Sequence, residues 1–164
     1  MKTLLLLRHA KSSWDDPSLP DHDRPLNGRG KASAPMMGAL ILERGLVPER
    51  IVTSSAKRAR KTAKLVAKAC AYGGDIEREP ALYLAGPDAY LRTIHALGDA
   101  PVDPLMLVGH NPDMEDLIVL LTGQAARMPT AALAVIALDV ADWSQVRFDE
   151  TAKLVNVWRP RELA

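Results

Sequence analysis

Short, mainly hydrophobic runs alternate along the chain with longer segments in which hydrophobic residues recur every three or four positions. The runs predict buried strands at residues 3–7, 50–53, 105–108, 132–138 and 154–158, with weaker strands at 75–79 and 146–148. The periodic segments predict helices at residues 31–44, 56–71, 87–97 and 112–123. The alternating order predicts a three-layer α/β/α sandwich with a mostly parallel central sheet, and residues 146–148 are expected to form an edge hairpin.

Small polar residues and glycines mark the expected ends of these elements. Residues 10–30 hold three prolines and predict a long loop, in which residues 27–30 are interpreted as a turn. The first helix is therefore expected to begin near Gly30. Ser54 or Ser55 is expected to cap the second helix, and Asn111 the fourth.

The composition is that of a single globular domain spanning residues 1–164. Hydrophobic residues make up 48% of the chain and charged residues 25%, which is close to the usual balance and supports one sizeable core. The net charge of +1 favours neither nucleic acid nor membrane as a bulk electrostatic partner. Aromatic residues are only 4%, so the core is expected to be aliphatic and a base-stacking surface is not expected.

Cysteine content and hydrophobic run lengths bear on the compartment. Cys70 is the one cysteine, which excludes an internal disulfide and a thiolate metal cluster. The four leucines at residues 4–7 are too short for a signal peptide, and the longest apolar run, residues 131–138, is too short to span a bilayer. We therefore expect a soluble cytoplasmic protein.

Three short polar segments each follow a predicted strand. They are Arg8-His9-Ala10, then Thr53-Ser54-Ser55 with Arg58 shortly after, and Gly109-His110-Asn111. Because ligands bind at the carboxyl ends of the strands in an open parallel sheet, we expect the three segments to meet at one edge.

Two arginines, two histidines and two helix N-termini at one edge favour a phosphate dianion. One guanidinium group can donate two parallel hydrogen bonds to phosphate oxygens, and helix N-termini present free N–H groups. One imidazole can be a neutral nucleophile while the other stabilises charge, so phosphoryl transfer is the indicated chemistry. In the alternative, non-functional interpretation, Arg58 lies on a solvated basic face of its helix and His110 is a buried structural histidine.

The other polar residues indicate no metal or cofactor. His22 lies in an acidic and basic loop where ion pairing is the ordinary interpretation, and His95 lies in a predicted helix. No histidine or carboxylate cluster has the spacing of metal ligands, and no phosphate-binding glycine loop of the nucleotide-binding type is present in the sequence.

The three segments together resemble the histidine phosphatase superfamily, whose fold is that of the phosphoglycerate mutases. The matching stretches are Leu7-Arg8-His9-Ala10, Ser55 to Ala63, and Gly109-His110-Asn111-Pro112. The short chain, Asp23-Arg24-Pro25-Leu26 and Gly30 are most similar to the small SixA-type branch, the phosphohistidine phosphatases.

The resemblance implies a role for each matching residue. His9 would be the nucleophile that becomes phosphohistidine, with Arg8 and Arg58 holding phosphate oxygens. His110 would donate to an equatorial oxygen. Ser12 and Asn111 would line the phosphate pocket, and Arg24 would order the bordering loop.

One departure from the superfamily concerns the general acid. Many members carry a catalytic glutamate after the third strand, whereas residues 81–85 here hold no carboxylate. An alkoxide leaving group requires protonation, but the imidazole of phosphohistidine leaves readily when its other nitrogen is protonated. We therefore expect a substrate with a P–N bond, and poor turnover of alkyl phosphates.

Several alternatives stay open at this point. The substrate is either a phosphorylated protein histidine or a small phosphorylated metabolite, and no internal segment is long enough for a lid domain, which favours an accessible substrate. Other possibilities are phosphodiester cleavage by His9 and His110 as base and acid, and a non-catalytic phosphate-binding module. The sequence does not indicate an oligomeric state.

Overall fold

The structure, a computed structural model, describes residues 1–163 and contains six strands and five helices. The strands are β1 (Lys2–Arg8), β2 (Arg50–Thr53), β3 (Ile76–Arg78), β4 (Leu105–Gly109), β5 (Leu133–Leu138) and β6 (Lys153–Trp158). The helices are α1 (Gly28–Glu43), α2 (Lys57–Ala69), α3 (Pro87–His95), α4 (Asp113–Thr122) and α5 (Pro160–Leu163). Short 3₁₀ helices lie at Asp21–Asp23, Pro80–Leu82 and Trp143–Gln145.

The strands form one mixed sheet in the order β3-β2-β4-β1-β5-β6. β1, β2, β3 and β4 pair in parallel, whereas β5 runs antiparallel to both β1 and β6. The predicted mostly parallel α/β sandwich is therefore confirmed. In register, Arg8 lies beside Gly109 and Thr53 beside Val108, so β1, β2 and β4 end together at one edge of the sheet.

A hydrophobic core lies on each face of the sheet, because successive side chains of a strand point to opposite faces. In β1, Leu5 and Leu7 pack in the core beneath α1 and α2, and Leu4 and Leu6 pack in the core beneath α3 and α4. All four leucines are fully buried, and burying one leucine side chain contributes about 1.5–3 kcal/mol. None of the helices within residues 1–163 is long and apolar enough to cross a membrane.

The interpretation of residues 27–30 as a turn is wrong, because α1 begins at Gly28. Asn27 is its N-cap, and the Asn27 side chain accepts a hydrogen bond from the Gly30 N–H at 2.9 Å. Gly30 lies in the first turn, at a position with no room for a side chain. A Cβ there would lie 2.2 Å from the backbone oxygen of Lys11. The glycine thus lets α1 pack directly against the segment that follows β1.

The expected caps of α2 and α4 are also shifted. The N-cap of α2 is Ala56, whose side chain makes no hydrogen bond. The Ser54 hydroxyl lies before the helix, where it accepts from the Ala56 N–H and pairs with His110. The N-cap position of α4 is Pro112, one residue after Asn111, although the Asn111 side chain still accepts from the Glu115 N–H at 3.3 Å.

The predicted strand at residues 146–148 is wrong. The nearby regular structure is the 3₁₀ helix Trp143–Gln145, closed by a capping box between Asp142 and Gln145. The buried Trp143 ring anchors this segment, and its Nε1–H donates to the Val102 oxygen at 2.9 Å.

Candidate active site

A pocket of about 210 Å³ opens where β1, β2 and β4 end. All seven residues to which the sequence analysis gives a role line it, together with four others. The lining residues are Arg8, His9, Lys11, Ser12, Trp14, Arg24, Arg58, Leu84, His110, Asn111 and Thr130. We call this pocket the cup. Its lining includes several cationic side chains and, within the described chain, no carboxylate.

His9 is held in one orientation at the base of the cup. Its Nδ1 lies 2.8 Å from the backbone oxygen of Ala10. Since a carbonyl oxygen only accepts, this hydrogen bond places the proton on Nδ1 and leaves a lone pair on Nε2. The Ala10 N–H donates to the Thr62 hydroxyl at 2.9 Å, which ties this segment to α2.

The environment of His9 favours the neutral imidazole. Burial, followed by the nearby charges of Arg58, Arg8 and Arg24, lowers the pKa of His9 from 6.5 to about 4. A neutral ring with a free Nε2 lone pair is the form that can attack an electrophilic phosphorus.

His110 faces His9, with ring centroids 5.1 Å apart. Its Nε2 lies 2.7 Å from the Ser54 hydroxyl, and that oxygen already accepts from the Ala56 N–H at 3.2 Å. The hydroxyl hydrogen has no other acceptor among the described residues, so it is donated to Nε2 and the His110 proton resides on Nδ1. Burial, with the charges of His9 and Arg58, lowers the pKa of His110 to about 3, so this ring is neutral too.

Two buried nitrogens of the cup have no hydrogen-bond partner within residues 1–163. They are Nδ1 of His110 and Nε of Arg8. The Arg8 guanidinium is anchored through a terminal nitrogen that donates to the Met128 oxygen at 3.1 Å. Buried polar groups are almost always paired, so two unpaired N–H donors in one pocket indicate a site for an anion.

Asp21, which the sequence reasoning did not single out, organises the arginines on one side of the cup. Arg58 donates to its backbone oxygen at 2.7 Å and to its carboxylate at 3.0 Å. Arg24 donates to the other carboxylate oxygen at 3.0 Å, and the Tyr83 hydroxyl donates at 2.6 Å. Burial opposes ionisation, but the hydrogen bonds from Tyr83, Arg58 and Arg24 prevail and hold the pKa of Asp21 well below its usual range. The available signal was the ion-pairing character of residues 21–24, although it did not identify Arg58 as a partner.

Ser12 and Asn111 line the cup, but their side chains form hydrogen bonds with other groups of the protein. The Ser12 hydroxyl accepts from Arg24 at 2.5 Å. The Asn111 amide donates to the Glu115 carboxylate at 2.7 Å and to the Met128 oxygen at 2.9 Å. Asn111 therefore holds the same carbonyl that anchors Arg8, and both of its amide hydrogens are used within the protein.

Residues 81–85, which hold no carboxylate, place an aromatic ring beside the cup. Tyr83 packs edge-on against His110, with centroids 5.4 Å apart, and against His22 at 4.8 Å. Its hydroxyl is committed to Asp21, which remains ionised, so neither group is a suitable proton donor to a leaving group.

The remaining two histidines are bound to other protein groups. His22 does not line the cup and is paired with the Ser55 hydroxyl at 2.9 Å, whereas His95 is bound to the Val146 oxygen at 2.6 Å. In the part of the chain that the structure describes, no group of three or more histidine, cysteine, aspartate or glutamate residues could hold a metal ion.

Comparisons with known proteins identify the family and the fold. The profile of the histidine phosphatase superfamily (branch 1) matches residues 4–83. An uncharacterized chloroplastic protein of Arabidopsis thaliana is 33% identical over 153 residues, which cover 88% of this chain and 70% of that protein. A crystal structure from Agrobacterium tumefaciens, assigned as a phosphohistidine phosphatase SixA, is 32% identical with a TM-score of 0.81, over 97% of this chain and 98% of the other. A protein histidine phosphatase SixA complexed with tungstate shares the fold, with a TM-score of 0.85 at 21% identity and 99% coverage of both chains.

Proposed function

The chain belongs to the histidine phosphatase superfamily as a phosphatase of the SixA type, and we propose that it hydrolyses phosphohistidine in proteins through a phosphorylated His9. The observation that carries the proposal is that the cup holds both a nucleophile and free hydrogen-bond donors. The Nε2 lone pair of His9 is free to attack, and the unpaired N–H groups of Arg8 and His110 are available to phosphoryl oxygens.

In the first step, the Nε2 lone pair of His9 forms a bond to phosphorus. The bond between phosphorus and the substrate imidazole breaks, and its electron pair returns to that nitrogen. When the other nitrogen of the substrate ring carries a proton, the ring leaves as neutral imidazole and no further proton is required. Arg8 and His110 stabilise the charge on the equatorial oxygens during this transfer.

In the second step, a water molecule attacks phosphorus and the bond to Nε2 breaks. The electron pair returns to Nε2, a proton of the water passes to a phosphate oxygen or to solvent, and inorganic phosphate leaves. The Ala10 carbonyl holds the Nδ1 proton of His9 through both steps, which keeps the ring in the same orientation. The reaction requires no added acid because both groups displaced from phosphorus are imidazoles.

The absence of a carboxylic acid from the cup supports phosphohistidine over alkyl phosphates. The described lining residues include no aspartate or glutamate, and Asp21 stays ionised beside two arginines. An alkoxide displaced here would depart without protonation, which slows ester cleavage. A small-molecule phosphomonoesterase would be expected to supply such an acid.

Trapping the phosphorylated enzyme tests the proposal directly. The protein is mixed with a ³²P-phosphohistidine peptide, quenched rapidly in base, and analysed for protein-bound label. We expect label that is stable in base and labile in acid, which is the behaviour of a phosphorus–nitrogen bond. His9→Ala should carry no label and have no turnover.

His95→Gln is the matched control, because a glutamine amide can still donate to the Val146 oxygen and the residue lies outside the cup. It should label as the unmutated protein does. Turnover without any bound label would favour acid–base catalysis by the two histidines. Activity that persists in His9→Ala would disprove the nucleophile.

A substrate panel separates phosphohistidine from small phosphate esters. Values of kcat/KM are compared for a phosphohistidine peptide, an aryl phosphate and an alkyl phosphate, with and without a chelator. We expect the alkyl phosphate to be the poorest substrate and the chelator to have no effect. Equal kcat/KM values on all three substrates would contradict the inference that the missing general acid disfavours alkyl phosphates.

A further inference from the structure

A second depression, of about 470 Å³, lies between α2, the start of α1 and the edge strand β3. Its floor includes the apolar side chains of Pro25, Leu26 and Ile76. Six cationic residues surround this floor, and no acidic residue of the described chain lines it. The cations are Lys31, Lys57, Arg60, Lys61, Lys64 and Arg78. We call this depression the basic groove.

The cations of the basic groove are not neutralised by the protein. None of the six takes part in an ion pair within residues 1–163. Lys57, Lys61 and Lys64 follow one another at spacings of four and three residues, which places them on one side of α2. Like charges at this spacing repel and weaken a helix, so their concentration in a chain of net charge +1 points to an external anion.

The groove and the cup are neighbours that share a wall. Lys57 lines the groove and the next residue, Arg58, lines the cup. In the same way, Arg24 lines the cup and Pro25 lines the groove. A molecule with its phosphoryl group in the cup can therefore extend over this wall and place anionic groups among the lysines.

We propose that the basic groove binds an acidic segment of the phosphorylated protein that the cup dephosphorylates. This inference rests on the proposed function for the identity of the partner, but the groove itself stands on its geometry and charge. Exposed lysines bind flexible carboxylates, and the apolar floor suits the side chains of a peptide. No aromatic residue among residues 1–163 lines the groove, so it lacks the stacking surface by which single-stranded nucleic acids are held.

Charge reversal tests the groove. Lys61→Glu/Lys64→Glu is compared with the unmutated protein on two substrates: a phosphohistidine protein with acidic residues near the histidine, and an aryl phosphate. The ratio of kcat/KM for the protein to kcat/KM for the aryl phosphate should fall about tenfold, mainly through KM. Added salt should reduce the same ratio for the unmutated protein and have less effect on the variant.

Lys153→Glu/Arg161→Glu is the matched control. Both residues are exposed and lie outside the groove, with Lys153 on β6 at the opposite end of the sheet from β3, and the change in net charge is the same. This control should keep the ratio of the unmutated protein. An equal fall in the control would mean that net charge, not the groove, decides the effect, and an unchanged ratio in the groove variant would overturn the proposal.

A binding measurement separates failure of the groove from failure of the proposed function. Fluorescence anisotropy of a labelled glutamate-rich peptide is measured with the unmutated protein and both double variants. Binding that is lost only in the groove variant supports an acidic-peptide site even if no phosphohistidine is hydrolysed. No binding to the unmutated protein, or tighter binding of a single-stranded oligonucleotide of equal charge, would overturn it.

Discussion

Ser54 is predicted to control catalysis through the tautomer of His110. Its hydroxyl donates to Nε2 at 2.7 Å, and both side chains are buried, so Ser54→Ala leaves that nitrogen without a partner. Leaving a buried polar group unsatisfied costs about 1–3 kcal/mol of stability. The Nδ1–H tautomer also loses about 0.5–1.5 kcal/mol of preference, the usual net value of one hydrogen bond. If that tautomer stabilises the transition state, kcat falls about two- to twelvefold.

The assay combines steady-state kinetics on an aryl phosphate with thermal unfolding at the same pH. Ser55→Ala is the control, since it removes a similar serine–histidine hydrogen bond, to His22 at 2.9 Å, outside the cup. We expect both variants to unfold at lower temperature, by about 3 °C per kcal/mol, and only Ser54→Ala to lose kcat. A Ser54→Ala protein with a lower Tm and full kcat would refute the role of the tautomer.

Three further predictions concern charge and packing around the cup. His9 should titrate by NMR near pH 4, because burial and Arg58 lower its pKa, and a value near 6.5 would contradict this. The pKa of Asp21 is depressed by its donors, so its stabilisation is present above the unfolded value of about 3.9 and lost as pH falls below it. Asp21→Asn should therefore lower Tm at neutral pH and show a smaller loss of Tm between pH 5 and pH 2; parallel pH curves would refute the linkage. Gly30→Ala, whose Cβ would lie 2.2 Å from the Lys11 oxygen, should lower Tm and activity. Gly28→Ala, whose Cβ would have no atom of residues 1–163 within 4 Å, should lower neither, and equal Tm values for the two variants would refute the close packing.

The strands and the meeting of the polar segments were predictable because they depend on local pattern and on one topological rule. β2 matches its predicted bounds, and the segments after β1, β2 and β4 meet as parallel strands require. The direction of β5 was not predictable, because a strand buried on both faces has the same hydrophobic pattern in either direction.

The errors in the sequence predictions arise where tertiary contacts override local signals. Ser54 is a good helix cap by residue type, but its hydroxyl pairs with His110, 56 residues away in the chain. Gly30 has the local character of a turn residue, yet it serves the close contact with Lys11. Asp21 lies in an exposed 3₁₀ helix, and only the folded chain brings its carboxylate to Arg58.

The Asp21 carboxylate that binds Arg58 also affects product release. Any phosphate that reaches this guanidinium competes with a resident anion already bound at 3.0 Å. That competition weakens the binding of inorganic phosphate. It does not prevent the attack on phosphohistidine, whose P–N bond is reactive. We therefore expect inorganic phosphate to dissociate quickly and to inhibit the enzyme only weakly.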